Sequence, residues 1–184
     1  EKQRLGLPVF VKPARGGSSI GVSKVSTWEE FPAAVALALE DDEKILVEPE
    51  IVGQEVEIGV LHYADGTLLA SVPALLAGID DSDEGFYGFD TKYLDNVVTA
   101  EIPAPFAPEL TEKLRDMAIR AFEALNCEGL SRVDFFVTED SVYINEINTL
   151  PGFTPISMYP QVLAASGVEY PALLEALIEQ ALAK

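Results

Sequence analysis

Short apolar stretches, bounded by turn and breaker residues, recur along this chain and predict strands. Two of them alternate apolar and polar positions around Ala64-Asp65-Gly66, which predicts a hairpin. A second hairpin is predicted across Glu139-Asp140. The predicted strands are Val9–Lys12, Val22–Val25, Ile45–Glu48, Glu55–His62, Leu68–Leu75, Leu130–Thr138 and Val142–Asn148. Pro13 is expected to end the first of them, because proline cannot donate a hydrogen bond to a sheet ladder.

Helical signals stand between these strands. Ser26 and Thr27, each followed three residues later by a glutamate, predict a helix that runs through about Leu39, with a frayed or kinked start at Pro32. Pro108–Asn126 is the clearest helix, with an apolar stripe of Leu110, Leu114, Met117, Ala118, Ala121, Phe122 and Leu125. Shorter helices are predicted at Ser157–Ala165 and Pro171–Ala183. Because helices and strands mix without a regular βαβ rhythm, the expected fold is α+β with mainly antiparallel sheet.

The segment from about Leu76 to Asn96 breaks this pattern. It is rich in Gly, Asp and Tyr and shows no clean period. Loops of this length are typically functional lids or disordered segments.

Composition narrows the class of function. The 184 residues are 48% hydrophobic and carry a formal net charge of −19, which disfavours binding to nucleic acid or to an anionic membrane. A nucleotide ligand would therefore need a local cluster of cationic groups or a metal. The single cysteine, Cys127, excludes an intrachain disulfide, and no apolar run approaches the roughly 18 residues of a spanning helix. We expect a cytoplasmic domain.

The amino-terminal residues suggest that this sequence begins within a longer protein. It has no initiator Met, and Glu1–Pro8 runs directly into the first strand. The expectation is a fragment of a longer protein.

The predicted hairpin after the long helix carries the most informative chemistry. If its turn spans Glu139 to Ser141, Asp134 stands opposite Glu146, and Arg132 opposite Asn148. Directly opposed Cβ atoms lie only about 4.5–5.5 Å apart. Two carboxylates and an amide oxygen would then converge, as suits Mg²⁺.

The spacing alone leaves an alternative open. A register shifted by one residue would put the acids on opposite faces. The hairpin could equally present a solvated outer face, with Arg132 pairing to a neighbouring acid. Phe136 and Ile144 are expected on the carboxylate face, where an apolar patch could hold a flat base, although such residues are more often core.

Five strings, in order along essentially the whole chain, resemble the ATP-grasp ligases, and within them the D-alanine–D-alanine ligase family. They match its phosphate loop, nucleotide hinge, lid loop, metal hairpin and the turn after that hairpin. In this order they comprise Val11–Val22, Val47–Pro49 with Gly53–Val56, Phe89–Tyr93, Arg132–Phe136, and Asn145–Thr154. The resemblance implies an ATP-grasp fold, with residues 1–50 as the remainder of a central lobe and 51–184 as the C-terminal lobe with a lid at 76–96.

The resemblance implies ATP as a substrate and Mg²⁺ as the metal, as two ions with Mn²⁺ as a substitute. It implies that Lys12 contacts the nucleotide phosphates and that backbone N–H groups of Gly17, Ser18 and Ser19 cap them. Glu48 and the backbone near Ile51 correspond to the adenine hinge. Glu55 corresponds to the ribose acceptor, and Phe10 and Phe136 to the apolar walls of the base site. Relatives often carry a polar residue where this chain has Pro49, so that side-chain contact to adenine is expected to be absent.

For catalysis, the resemblance implies that ATP phosphorylates one D-alanine and that the amine of a second attacks the acyl phosphate. Asp134, Glu146 and Asn148 would hold the metal, and Arg132 with the Gly152 N–H would stabilise the oxyanion. Lys92 would approach the γ-phosphate from the lid, and Tyr93 paired with Ser18 would orient the first D-alanine. Ser157 and the Met158 backbone would bind the second substrate's carboxylate. The family also implies a homodimer.

The family's amino-terminal domain and a further phosphate-binding lysine are not found in the sequence, so the chain alone is expected not to turn over.

Two alternatives to this family stay open. Another ATP-grasp carboxylate–amine ligase would share the metal residues but lack the lid pair and the following turn. A non-catalytic nucleotide- or Mg²⁺-binding module is the other.

Overall fold

The structure is a computed structural model that describes residues 5–77 and 99–183. The described residues fall into two compact units, residues 5–52 with Thr99 and residues 53–77 with 100–183. Both contain antiparallel sheet and helices, which confirms the predicted α+β class.

Among its described residues, the first unit is a three-stranded antiparallel sheet with one helix. Its strand order is β2-β1-β3, so β1 is central. Alternate residues of β1 point into a small core with the helix, as the predicted alternation requires. The elements are β1 (Val9–Pro13), β2 (Ser23–Val25), α1 (Phe31–Asp41) and β3 (Ile45–Pro49). β1 includes Pro13, one residue beyond the predicted end, paired with Ile45.

The predicted start of α1 was wrong by about four residues. The helix begins at Phe31, with Pro32 in its first turn, where a missing N–H costs no helical hydrogen bond. The capping glutamate Glu30 instead accepts hydrogen bonds from the backbone N–H groups of Ser26 and Thr27, at 2.8 and 3.1 Å. Proline therefore set the boundary, and the capping signal formed a turn ahead of it.

The second unit is built on a larger antiparallel sheet. Its strand order is β7-β6-β4-β8-β9, with β5 paired to β4. The strands are β4 (Gln54–His62), β5 (Leu68–Ala70), β6 (Ala74–Ala77), β7 (Thr99–Glu101), β8 (Leu130–Val137) and β9 (Val142–Asn148). The helices are α2 (Pro108–Ala124), α3 (Met158–Ala165) and α4 (Tyr170–Leu182).

The two faces of this sheet bury different helices. One face packs against α2 through a core that includes Val56, Ile58, Val60, Leu114, Ala118, Phe122, Val133 and Phe135. The other packs against α3 and α4 through Leu61, Ala74, Tyr159, Val162, Leu163, Leu173 and Ala176. The helices on this second face leave part of β4, β8 and β9 for polar side chains, and the candidate site lies there.

Three local expectations need correction. The predicted strand Leu68–Leu75 is two strands, because Pro73 interrupts the ladder. α2 ends at Ala124, so Leu125 lies beyond the stripe and is exposed. The short strand β7 was not predicted.

Across residues 5–77 and 99–183, no helix has the length and apolar character to cross a membrane.

Candidate active site

In the first unit, a polar face of the sheet carries three of the predicted nucleotide-binding residues. Phe10 and Lys12 alternate with buried residues of β1, and Phe10 is paired with Glu48 on β3. The Lys12 ammonium lies 2.8 Å from a carboxylate oxygen of Glu48. Sheet pairing therefore brings an aromatic ring, a cation and an acid together on one surface.

The loop after β1 has an unusual backbone. Ser18 and Ser19 both adopt left-handed conformations, with φ of 53° and 56°. This conformation is uncommon for residues other than glycine. A turn hydrogen bond from the Ile20 N–H to the Gly17 carbonyl, at 3.1 Å, closes the loop. Gly17 has no atom within 4 Å of where a Cβ would stand, so ligand atoms could approach its backbone.

An ion pair between the exposed side chain of Arg15 and the buried carboxylate of Asp42 fixes the base of this loop. Asp42, at the end of α1, accepts hydrogen bonds from Arg15 Nη2 at 2.6 Å, Arg15 Nε at 2.9 Å and the Arg15 backbone N–H at 3.0 Å. The bond from Arg15, with a further one from the Lys44 backbone, holds the pKa of Asp42 well below its usual range. The pair ties the loop to the end of α1 and the start of β3.

The remaining hinge residues lie in separate units. Ile51 follows β3 as half-buried irregular chain. Glu55 belongs to β4, in the second unit, and is paired with Phe136 on β8. Glu55 and Phe136 thus share a sheet face, as a ribose acceptor and a base wall would require.

The hairpin of β8 and β9 has the register on which the metal hypothesis depends. Asp134 stands opposite Glu146, and Arg132 opposite Asn148, as predicted. The assumed three-residue turn was wrong, since the Thr138 N–H donates to the Ser141 carbonyl at 2.9 Å around Glu139-Asp140. A β-bulge opposite Asp134 and Phe135 makes up the difference.

Because of the bulge, the prediction for Ile144 was wrong and the prediction for Glu146 is confirmed. Near the turn, Phe136 pairs with Tyr143 and Ile144 with the core residue Phe135, so Ile144 does not share the carboxylate face with Phe136 as expected. Without the extra residue, Asp134 would face Asn145, and Glu146 would face the core residue Val133. The bulge is therefore what turns Glu146 to the side of Asp134.

Arg132 pairs with an acid on its own strand. Its Nε and Nη2 donate to the two carboxylate oxygens of Asp134, both at 2.7 Å. Nε also lies 3.2 Å from a carboxylate oxygen of Glu57 on β4. From the sequence, two alternatives were open: Arg132 could pair with a neighbouring acid, or polar side chains could converge on one face. The structure has both features.

Asn148 links the other two predicted metal ligands. Its Nδ2 donates to Asp134 at 3.0 Å and to Glu146 at 3.5 Å. An amide hydrogen-bond donor between two carboxylates occupies the kind of position a cation favours, because the acids would otherwise repel each other. The oxygen-rich donor set fits Mg²⁺. In the part of the chain that the structure describes, no group of three or more His, Cys, Asp or Glu side chains could hold a metal.

The turn after β9 leads into the start of α3. The Ser157 hydroxyl lies 2.9 Å from the Thr154 hydroxyl and accepts a hydrogen bond from the Thr154 N–H at 3.0 Å. A Cβ on Gly152 would stand 2.9 Å from that hydroxyl oxygen. Met158 is the first residue of α3, and helix N-termini favour anions.

Comparison with known proteins shows the family to which this chain belongs. A sequence profile described as "D-ala D-ala ligase C-terminus" matches residues 1–179. The chain belongs to this family.

The family's relatives are similar over nearly all of this chain. A D-alanine–D-alanine ligase of Corynebacterium efficiens is 66% identical over 182 residues, which are 99% of this chain and 50% of that protein. The ligase of Mycolicibacterium smegmatis is 53% identical over 186 residues, covering 100% of this chain and 50% of that protein. The chain therefore spans about half the length of the curated relatives it matches.

Solved structures of the ligases have the same fold. The D-alanine–D-alanine ligase of Coxiella burnetii superposes with a TM-score of 0.80 at 38% identity, over 95% of this chain and 44% of that one. The VanG D-Ala:D-Ser ligase of Enterococcus faecalis gives 0.81 at 33% identity, over 97% and 51%. The Bacillus anthracis ligase, complexed with ATP, gives 0.79 at 26% identity, over 99% and 55%. The fold is the ATP-grasp fold of these ligases.

The roles of all the predicted site residues remain predictions. Lys92 and Tyr93 lie outside the described residues, and so does the Tyr93–Ser18 pair. Glu57 was not predicted from the sequence as a site residue. The signal was available, because Glu55 and Glu57 alternate on one strand, but only the pairing of β4 with β8 brings Glu57 beside Arg132.

Proposed function

We propose that the intact protein containing this chain joins two D-alanine molecules at the expense of ATP, supplying D-alanyl-D-alanine for peptidoglycan synthesis. The carboxylate of the first D-alanine attacks the γ-phosphorus of ATP, and ADP leaves. The amine of the second attacks the carbonyl carbon of the acyl phosphate and loses a proton, and inorganic phosphate leaves. The relatives' activity at up to 66% identity supports this reaction, as does the ATP complex of the Bacillus anthracis ligase.

The observation that carries the proposal is the convergence on β8 and β9. Asp134, Glu146 and Asn148 share one face of the hairpin. Both carboxylates lie within hydrogen-bonding distance of the Asn148 amide nitrogen. These residues would hold two Mg²⁺ ions, or Mn²⁺ in their place. The bound metal would neutralise phosphate charge and align the γ-phosphate.

Arg132 is proposed to stabilise the acyl phosphate and the tetrahedral oxyanion. Only 16% of its side chain is exposed, so its charge acts in a poorly solvated environment where electrostatic interactions are stronger. The Gly152 N–H would assist it, and Lys92 would add charge at the γ-phosphate. Ser18 with Tyr93 would orient the first D-alanine.

Nucleotide-binding roles are proposed for residues on the polar face of the first unit and, in the second unit, for Glu55 and Phe136. Lys12 and the backbone of Gly17, Ser18 and Ser19 would contact the phosphates. Glu48 and Ile51 would contact the adenine, with Phe10 as an apolar wall. The Lys12–Glu48 ion pair supports this role, because it keeps the ammonium on the polar face.

The second substrate's carboxylate is proposed to bind at Ser157 and the Met158 N–H, at the start of α3. The helix dipole and the N–H groups of the first turn favour an anion there. The likeness to VanG makes D-serine the competing second substrate, whereas the 66% identity to a D-alanine–D-alanine ligase favours D-alanine. A cytoplasmic location and a homodimer are carried over from the resemblance.

The test is phosphate release by the intact protein with ATP, Mg²⁺ and D-alanine, with D-serine and D-lactate as competing second substrates. D-alanyl-D-alanine should be the main product. Asp134→Asn should reduce kcat by at least about a hundredfold, since removing one partner of a phosphoryl-transfer site costs several kcal/mol.

Asp116→Asn is the matched control. Asp116 is an exposed acid of α2, paired with Arg120 at 3.7 Å, and this variant should retain wild-type kcat. Amino-acid-dependent ADP formation with no D-alanyl-D-alanine would instead favour another carboxylate–amine ligase. No nucleotide turnover at all, with intact metal binding, would favour the non-catalytic module.

A further inference from the structure

Glu57 is a buried carboxylate on the candidate-site face of the sheet. It stands between Ala74 on β6 and Asp134 on β8, and only 3% of the residue is exposed. A carboxylate removed from water destabilises the fold unless it is paired. One of its oxygens lies 3.2 Å from Nε of Arg132. The residue thus keeps a negative charge in the interior beside the arginine proposed to stabilise the oxyanion.

The guanidinium of Arg132 lies between two carboxylates that it contacts differently. It donates two hydrogen bonds to Asp134, at 2.7 Å each. Because the single Nε–H points to Asp134, the contact with Glu57 is an ion pair. Burial lowers the pKa of Arg132, but hydrogen bonding and charge from Asp134, with the charges of Glu57 and Glu146, raise it above its usual value.

Arg132 and a cation compete for Asp134. Oδ2 of Asp134 already accepts hydrogen bonds from both Arg132 and Asn148. A carboxylate oxygen has two lone pairs, so a cation at this oxygen must displace one of the two donors. Releasing Arg132 would leave a largely buried guanidinium that needs another anion. Glu57 already lies within ion-pair distance of it.

We propose that Glu57 is a positioning residue that keeps Arg132 in place when Asp134 turns from the guanidinium to a divalent cation. The inference rests on the proposed function, because it assumes a cation at Asp134. In this role Glu57 acts through Arg132, with which it forms an ion pair, and not by binding substrate or metal itself. Weakening this ion pair makes Arg132 depend more on Asp134, and the cation then binds less tightly.

The experiment measures Mn²⁺ binding to the intact protein in the presence of ATP, by the electron paramagnetic resonance signal of free Mn²⁺. Glu57→Gln keeps the shape of the side chain but removes its charge, and it should raise the Mn²⁺ dissociation constant by about tenfold, as expected for losing one close charge pair. Raised Mn²⁺ should restore part of kcat. Glu112→Gln is the control, since it neutralises a glutamate paired with Arg115 at 2.7 Å on the exposed face of α2. It should bind Mn²⁺ as the wild type does.

Glu57→Asp separates positioning from charge. It keeps the negative charge but draws the carboxylate back from Arg132 by one methylene, so Mn²⁺ binding should weaken by at least about threefold. Wild-type Mn²⁺ affinity in Glu57→Asp overturns the inference, because charge alone would then suffice. Unchanged affinity in Glu57→Gln overturns it as well. If Glu57→Gln does not fold, Glu57→Asp decides alone.

The two proposals fail in different ways. A wild-type protein that forms D-alanyl-D-alanine, with Glu57 variants that bind Mn²⁺ normally, would refute only the role of Glu57. A wild-type protein that forms no product would refute the proposed function whatever the Mn²⁺ affinities of the variants.

Discussion

Gly59 allows helix α3 to lie directly on β4, and replacing it should disturb both stability and the start of that helix. A Cβ at Gly59 would stand 2.5 Å from Cδ2 of Leu163 and 3.0 Å from Cδ2 of Tyr159. Carbon atoms in contact are normally about 3.5–4.0 Å apart. The end of Leu163 can rotate, but Tyr159 is fully buried and its hydroxyl donates to the Val60 carbonyl at 3.1 Å. Gly59→Ala therefore requires α3 to move outward by roughly 0.5–1 Å.

The expected magnitude is a balance of two effects. Overpacking a well-packed core costs about 1–3 kcal/mol. Replacing a glycine within a strand returns about 0.5–1 kcal/mol, because the unfolded chain loses freedom. From the middle of the two ranges, the net loss is about 1 kcal/mol. A domain of this size loses about 2–4 °C of Tm per kcal/mol.

Thermal unfolding by circular dichroism measures this change, with Gly17→Ala as the stability control. A Cβ at Gly17 would meet no atom within 4 Å, so this variant should keep the wild-type Tm. Leu163→Ala should lose less Tm in the Gly59→Ala background than alone, since the two residues share one contact. Because Ser157 and Met158 begin α3, Gly59→Ala should also raise KM for the second D-alanine more than KM for ATP. A Gly59→Ala protein as stable as the wild type would refute this account of the packing.

Two further predictions concern single contacts. Hydrogen bonds from Arg15 and the Lys44 backbone hold the pKa of Asp42 below its usual value. The Asp42 carboxylate therefore stabilises the fold fully above about pH 3.9, the usual pKa of an aspartate. This stabilisation is lost as the pH falls through the lowered pKa of the folded state. The Tm difference between wild type and Asp42→Asn should thus be largest near neutral pH and narrow below about pH 4, and a constant difference would contradict this. Tyr159→Phe removes the hydrogen bond to Val60 and should cost about 0.5–1.5 kcal/mol in unfolding free energy, whereas an unchanged Tm would show that this bond adds nothing.

Secondary structure was predictable wherever one local signal dominated. The alternation in β4 and the long stripe of α2 gave these elements close to their observed bounds. The start of α1 was misplaced because two local signals competed, and a capping glutamate did not outweigh Pro32. Where the signals conflict, the backbone restriction of proline is stronger than a single side-chain hydrogen bond.

The carboxylate pair was predicted correctly from a turn that does not exist. A three-residue turn would set Asp134 opposite Glu146, but the chain makes a two-residue turn and inserts the missing residue as a bulge. Both routes give the same register at Asp134, because each leaves one residue unpaired between Asp134 and Glu146, either in the turn or in β9. Composition does not distinguish them, since Glu139, Asp140 and Ser141 suit either turn.

Glu57 could not be predicted in the same way, because its environment depends on contacts far apart in the sequence. The hairpin of β8 and β9 is local, and its register follows from a short turn, whereas β4 lies more than sixty residues before β8. Nothing in the intervening sequence fixes which residue of β4 faces Asp134. On sequence alone, Glu57 is one of 31 acidic residues in a strongly negative chain. Only the pairing of β4 with β8 turns it into a buried counterion for Arg132, and long-range strand pairing is thus what completes the electrostatics of the site.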